Sequence, residues 1–290
     1  MQLNRQTQLM MSKPRVIKFL ILSDTHNFDR EEADLCPLKN PLPKVDVVLH
    51  CGDLTSVGGA QNYAKALEML GHLDVELKLV IAGNHDLDLD EEYWRTKRPK
   101  DHEESEHRAG VEIMTGPLAK AANVTYLTEG TYSFTLKDGR SFKIFASPYQ
   151  PEFCNWAFGY KRGKARWKIP DDVDIVMTHG PPYGSLDSVA EQGNKKLGCE
   201  TLLGEVKRVK PLMHCFGHIH DGYGWKVQTW SHWSDAAGRD VKISQAGTNK
   251  LVQQAQVAKG ESTLMVNAAI MNEDHQPKNA PWVVELPLQQ

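Results

Sequence analysis

Leu79-Val80-Ile81-Ala82-Gly83-Asn84-His85-Asp86 is the stretch on which the reading of this chain turns. A short apolar run rich in β-branched residues stops at a glycine. Side chains that can ligate a metal or carry a proton follow at once. The apolar run predicts a strand buried on both faces. In open α/β sheets, ligands collect in the loops beyond the carboxyl ends of such strands. The polar end of this strand therefore marks a catalytic corner.

The same construction recurs along the chain. Val16–Leu22 leads into Ser23-Asp24-Thr25-His26, and Val45–His50 into Cys51-Gly52-Asp53. Val173–Met177 leads into Thr178-His179-Gly180, and Leu212–Phe216 into Gly217-His218-Ile219-His220. One Asp-x-His or Gly-Asp alone means little, and a lone loop histidine is usually just hydrogen-bonded. Five strand ends of one kind, counting Leu77–Ala82, deliver Asp24, Asp53, Asn84 and five histidines to one region. The glycines matter because ligands from separate strands must converge within about 2–2.5 Å of a metal ion. That requires backbone to pass close by.

Between the strands lie helical patterns. Gly59–Leu70 and Cys199–Val209 each show an apolar face at helical spacing, and strand–helix–strand succession argues for a mainly parallel sheet. Thr131–Ala146 departs from this. Its alternating halves flank Lys137-Asp138-Gly139-Arg140, a strong hairpin signal, so antiparallel pairs and a second sheet are expected. Further strands are predicted at Tyr223–Gln228, Leu264–Asn267 and Trp282–Leu286. The expected organisation is a polar tail over residues 1–14 and a single α/β domain over 15–290, with insertions near 88–110 and 230–262. The first insertion is dense in charge and reads as a solvated helix or loop.

Composition excludes several classes. With 40% hydrophobic residues, 24% charged residues and a net charge of −3, the chain has no bulk attraction to nucleic-acid polymer or to anionic membrane. No apolar run reaches the roughly 18 residues of a membrane span. Cys36, Cys51, Cys154, Cys199 and Cys215 form no C-x-x-C pair and read as small core residues in a reducing compartment. A cytoplasmic location is expected. The acid-free Met1–Ser23 segment, with its four basic residues, offers a mitochondrial leader as the weaker alternative.

Taken together, Asp-x-His, Gly-Asp, Gly-Asn-His-Asp, Thr-His-Gly and Gly-His-x-His resemble the signature of the calcineurin-like metallophosphoesterases, over about Val16 to Leu286. Four stretches are similar to the metallophosphoesterase-domain-containing subgroup of the 239FB type: Ser23–His26, Ile81–His85, Thr178–Pro182 and Phe216–Gly224. Asn155–Phe158 and Val266–Ala268 are similar too. The resemblance implies a sandwich of two mixed β-sheets flanked by helices. It implies that Asp24, His26 and His220 hold one metal, that Asn84, His179 and His218 hold a second, that Asp53 bridges them, and that His85 is the catalytic acid. It further implies phosphodiester substrates, cyclic nucleotides among them.

The residues support that chemistry on their own. Nitrogen and oxygen donors without thiolate disfavour copper(I) and iron–sulfur and allow Mn²⁺, Fe, Zn²⁺ or Mg²⁺; two divalent ions are expected, Mn²⁺ foremost. Such a pair, roughly 3.5–4 Å apart, can activate a bridging hydroxide and polarise a phosphoryl oxygen. The leaving oxygen then needs a proton, which an imidazole can supply near neutral pH. Asp86 can either pair with His85 or act as an ordinary loop cap. Asn155, Trp156, Phe158 and Tyr223 are candidates for a wall around a nucleotide base, with Asn84 and His85 also expected to contact substrate. The remaining histidines have no assigned role. His50 and His214, ahead of motif glycines, read as buried core histidines, with donors behind the metal ligands as the alternative. The enzymatic alternative is a phosphomonoesterase or protein phosphatase of the same fold. Protein Ser/Thr phosphatases usually carry Gly-Asp-x-x-Asp-Arg, the arginine gripping the phosphate, and Gly52-Asp53-Leu54-Thr55-Ser56-Val57 has no arginine. A scaffold that has lost its site is the non-enzymatic alternative.

Overall fold

A computed structural model describes residues 15–28, 38, 42–98, 103–164, 166–230, 238–247 and 252–288. Two large mixed sheets pack face to face. The first has seven strands in the order Gln253–Val257, Arg239–Gln245, Trp282–Leu288, Arg15–Leu22, Val47–His50, Leu77–Val80 and Val124–Tyr126. From Arg15–Leu22 to Val124–Tyr126 its pairings are parallel, and on the other side of Arg15–Leu22 they are antiparallel. The second sheet has six strands in the order Gly224–Thr229, Ser262–Asn267, Met213–Phe216, Ile175–Thr178, Ser141–Ser147 and Gly130–Thr135. Its four central strands are parallel, and its two edge pairings are antiparallel.

The period-2 geometry of a strand explains how the sheets fill three apolar layers. Ile17, Phe19 and Ile21 point between the sheets, where they meet Phe142, Ile144, Ile175, Met177, Met213 and Val266. Leu20 and Leu22 point the other way, into a layer closed by Tyr63, Leu67 and Leu70 of the Ala60–Gly71 helix. On the outer face of the second sheet, Val176 and Phe216 meet Leu202 and Val206 of the Glu200–Val209 helix. Strands covered on both faces are why the sequence shows apolar runs and not alternation there. The result is the expected sandwich of two mixed sheets flanked by helices.

Two segments differ from expectation. Residues 88–110 are not simply a solvated insertion. They hold helix Glu91–Thr96 and the start of helix Glu104–Thr115, and Tyr93 and Trp94 are core residues. Asp88 and Asp90 are buried because their carboxylates accept backbone N–H groups, from Gly59 (2.5 Å) and from Tyr93 and Phe158 (3.1 and 2.5 Å). Within 230–262, the strands Arg239–Gln245 and Gln253–Val257 complete the edge of the first sheet, with Val241 and Ile243 facing the core. The 1–14 tail and Cys36 lie outside the described residues. Cys51, Cys199 and Cys215 are buried as expected, whereas Cys154 is exposed. It sits in a turn whose residues 152–155 all face solvent.

Candidate metal centre

The strands Arg15–Leu22, Val47–His50 and Leu77–Val80 of one sheet, and Ile175–Thr178 and Met213–Phe216 of the other, end on the same side of the sandwich. Their terminal loops meet there. Asp24, His26 and His220 converge with their ligand atoms all within 4.8 Å of one another. So do Asp53, His179 and His218, and so do His26, Asp53 and His85. Asp53 Oδ2 lies between the two halves, 3.6 Å from His26 Nε2 and 3.4 Å from His179 Nε2. Asp24 Oδ1 lies 3.5 Å from His220 Nε2 and 4.0 Å from His26 Nε2. Asn84 joins through its Oδ1, 2.9 Å from His179 Nε2. All eight polar residues expected at the strand ends are therefore brought together.

The backbone holds the rings in a common way. His26 Nδ1–H donates to Thr55 O (3.2 Å), His85 Nδ1–H to Ser56 O (2.7 Å), His179 Nδ1–H to Cys51 O (2.9 Å) and His220 Nδ1–H to Asn272 O (3.2 Å). Each carbonyl fixes the tautomer and leaves Nε2 for the centre, the usual second layer around histidine ligands. Threonines are held in turn from behind. His50 Nε2 meets Thr25 Oγ1 at 3.1 Å and His214 Nε2 meets Thr178 Oγ1 at 2.8 Å. Both are buried core histidines, as anticipated, and burial pushes them down to about 4 and about 3.

Close backbone approach explains the glycines. A Cβ on Gly217 would fall on the Asp24 carboxylate and the Ser23 hydroxyl, and one on Gly83 would fall on Asp53. Asp24, His26, Asp53 and His218 themselves have φ of 56°, 43°, 55° and 68°. Left-handed backbone at non-glycine residues is costly and concentrates at functional sites.

The charges suit divalent cations. Burial raises the affinity of Asp24 for a proton, but its hydrogen bond and attraction to His220 outweigh this and hold it at about 2. Burial opposes ionisation of Asp53 as well, and His179 beside it carries it well below the ordinary carboxylate range. Burial lowers His26 to about 4 and His218 to about 3, so both are neutral donors at pH 7. For His179, burial is overcome by the Asp53 carboxylate, which raises it to about 9. His26 Nε2 is buried without a hydrogen-bond partner. An orphaned, neutral imidazole nitrogen facing two ionised carboxylates is the environment that a cation completes. The residues present thus fit a pair of hard or borderline divalent ions.

Asp86 is settled as a loop cap. Its carboxylate accepts N–H groups of Gly83 (2.8 Å), Thr55 (3.0 Å) and Leu54 (3.2 Å) and the Thr55 hydroxyl (3.0 Å). It fastens the Asp53 loop to the Gly83 turn. Burial and the nearby Asp53 charge push it up to about 7.

The expected substrate wall divides. Trp156 stands at the centre, its indole 4.1 Å from the His85 ring at a 32° tilt. The main-chain bond from Ala157 N–H to Asn84 O (3.2 Å) keeps it there. Asn155 is exposed in the adjoining left-handed turn. Phe158 is a buried core residue. Tyr223 is corrected: its ring stacks on Trp282 at 5.0 Å and its hydroxyl donates to Ala280 O (2.5 Å), which commits it to packing. Two residues with no role expected from the sequence reach the centre. Phe153, half exposed, lies 6.4 Å from the His218 ring, and His275 lies 5.0 Å from the His220 ring. His275 belongs to the loop after a sixth strand, Ser262–Asn267, whose end carries no polar motif close by to betray it.

Known proteins resemble this chain in sequence. It is 34% identical over 281 residues to "Metallophosphoesterase domain-containing protein 1" of Homo sapiens, covering 94% of this chain and 72% of that protein. The protein of the same name from Mus musculus matches to the same extent. Among solved structures, one from Thermus thermophilus superposes with a TM-score of 0.43 at 18% identity, over 74% of this chain and 85% of that one. The family model for calcineurin-like phosphoesterases matches residues 17–222, a span that takes in all five motif-bearing strand ends. With that match and the human relative, this chain belongs to the calcineurin-like phosphoesterase family.

Proposed function

We propose that this chain is a phosphodiesterase that uses two divalent metal ions, Mn²⁺ foremost, to hydrolyse small phosphate diesters, cyclic nucleotides among them. The observation that carries the reading is Asp53, whose Oδ2 faces the Asp24–His26–His220 group on one side and the His179–His218–Asn84 group on the other. In this reading the first group holds one ion, the second group the other, and Asp53 both. Two divalent ions there would draw charge from the phosphoryl group and generate a nucleophile from water near neutral pH.

The chain's own groups do the remaining work. Asp24 and Asp53 stay ionised at neutral pH and so remain acceptors for cations, not protons. His85 is aimed by three contacts. Its backbone N–H donates to Asp53 Oδ1 (2.8 Å), its Nδ1–H donates to Ser56 O, and the Trp156 indole covers its face. With Nδ1 occupied, the second proton of an imidazolium sits on Nε2, and the leaving oxygen of the ester takes it from there. Trp156 and Phe153 offer aromatic surface beside the centre, which suits a planar base or aryl group on the ester. The Asp53 loop carries Ser56 and Val57 where a protein phosphatase would place Asp-Arg, and the missing guanidinium favours diesters over phosphoproteins.

The test is an activity panel on the Mn²⁺-loaded chain: 2′,3′- and 3′,5′-cyclic nucleotides, mononucleotides, an aryl phosphodiester and a phosphopeptide. Diester hydrolysis that vanishes with a chelator and returns with Mn²⁺ is expected. Preferential hydrolysis of the phosphopeptide or the mononucleotides would overturn the diester assignment. Diester turnover that survives chelation would overturn the metal assignment.

A further inference from the structure

We infer that His275 is a substrate-contacting residue that donates a hydrogen bond to a phosphoryl oxygen of the bound ester. The inference rests on the metal-dependent reading above and extends it to a residue outside every motif.

The loop that bears this residue is tied at several points. After Ser262–Asn267 the chain does not turn straight back. It builds a closed loop before Trp282–Leu288. Asn272 N–H donates to Gln276 O (2.9 Å), Gln276 N–H donates to Asn272 Oδ1 (2.8 Å), and His275 N–H donates to Asn272 O (3.0 Å). The Asn279 side chain ties the base of the loop to Ala269 O and Met271 O (3.2 and 3.1 Å). The same Asn272 carbonyl accepts Nδ1–H of His220. The loop that carries His275 is thus fixed to an expected metal ligand.

His275 itself is held in left-handed backbone, φ 54°. Nothing about the loop's exposed surface demands a histidine at that position, where Gly or Asn would relax the strain. Its ring lies 5.0 Å from the His220 ring and 6.2 Å from the His26 ring. His85 also neighbours His26, at 4.7 Å. His85 and His275 are therefore both ring neighbours of His26. Of the two, His85 has Nδ1 taken by the Ser56 carbonyl. Among the described residues, no group of the chain hydrogen-bonds the His275 ring. An exposed imidazole beside a centre that two divalent ions would make cationic, steered there by a strained and well-tied loop and without a partner of its own among the described residues, is free to meet a ligand. The ligand that centre takes is a phosphate ester. A neutral imidazole keeps one N–H, so the contact does not require protonation.

The experiment uses the full chain loaded with Mn²⁺, and two probes: an aryl phosphodiester for turnover and inorganic phosphate for binding by calorimetry. His275→Ala is expected to raise KM for the ester and Kd for phosphate by about 10-fold or more, the worth of a hydrogen bond to a charged group. Manganese content should stay at the wild-type value. His275→Asn, which keeps a donor and tolerates the left-handed backbone, should recover most of the affinity. His275→Gly removes the ring without backbone cost and replaces the alanine variant if that variant misfolds. Unchanged KM and Kd would overturn the inference. So would loss of manganese, because His275 would then act through His220 and not on the substrate. The phosphate measurement needs no turnover, so an inactive wild type would refute the diesterase reading while leaving this one testable.

Discussion

At the scale of single residues, the proposed reaction divides the centre's labour between groups that hold charge and one, His85, that moves a proton. His85 is next in sequence to Asn84 but differs from it in what it faces. Asn84 Oδ1 turns to His179, while the His85 ring stands between the Ser56 carbonyl and the Trp156 indole. His85→Ala should therefore lower turnover by about 10²–10⁴-fold with metal content unchanged. The loss should be largest for poor leaving groups such as nucleoside hydroxyls, and kinetics on a leaving-group series checks it. An equal loss for p-nitrophenolate would remove His85 from the role of acid. Asp53→Asn should lower metal occupancy at both positions, read by elemental analysis; two ions retained would end the bridging assignment. These residues were legible in the sequence because each sits close behind a strand end. His275 was not. It lies well past Asn267, and only the folded loop returns it to the centre.

At the scale of elements, the strand ends would not hold their geometry without the carboxylates behind them. Asp86 joins the loop after Val47–His50 to the turn after Leu77–Val80 through three N–H groups and a hydroxyl. Asp86→Ala leaves the three buried N–H groups unpaired, while the Thr55 hydroxyl keeps the His85 carbonyl. It should cost about 2–4 kcal/mol of stability, measured by urea unfolding. A loss within about 0.5 kcal/mol, the range of an ordinary surface change, would show the loops to be held otherwise. The sequence left two roles open for Asp86 because an Asp after Gly-Asn-His can reach either side. Burial and four donors decide it. The 88–110 segment, expected as a solvated helix or loop, is helical but less solvated than expected, for a related reason. Its charges looked like a solvated face, yet Asp88 and Asp90 point inward to cap other loops, a pattern that periodicity does not reveal. Tyr223 is the converse: an aromatic near a motif that proves to be packing on Trp282.

At the scale of the molecule, the two sheets must stay in register, since each supplies part of the centre. The apolar layer between them does most of this, and one polar clamp assists it. Arg140, in the turn between Gly130–Thr135 and Ser141–Ser147, donates from Nη1 and Nη2 to the two oxygens of Asp46 (2.7 Å each) and reaches the Val16 carbonyl. Burial raises Asp46, but the guanidinium more than compensates and holds it below its ordinary value. A depressed carboxylate stabilises the fold above its unfolded value, about 4, and the contribution is lost as pH falls through the folded value. Arg140→Leu should cost about 1–2 kcal/mol at pH 7. The gap to wild type should narrow below about pH 4, as urea midpoints across pH would register. A gap independent of pH would mean that the clamp is not electrostatic. The sandwich was readable because both sheets advertise themselves, one by apolar runs and the other by the hairpin. The edge formed by Arg239–Gln245 and Gln253–Val257 was hidden by its polar outer face. The means by which the rings are aimed also sets how the centre tolerates change. Four of its imidazoles are directed by main-chain oxygens, at Cys51, Thr55, Ser56 and Asn272. Every amino acid brings that oxygen, so the aim survives a change of side chain wherever the side chain does not also tie the loop, as those of Thr55 and Asn272 do. A one-residue insertion or deletion in the same loops moves the oxygen itself and sets the ring adrift. Diversification of this site is therefore permissive in sequence and strict in loop length.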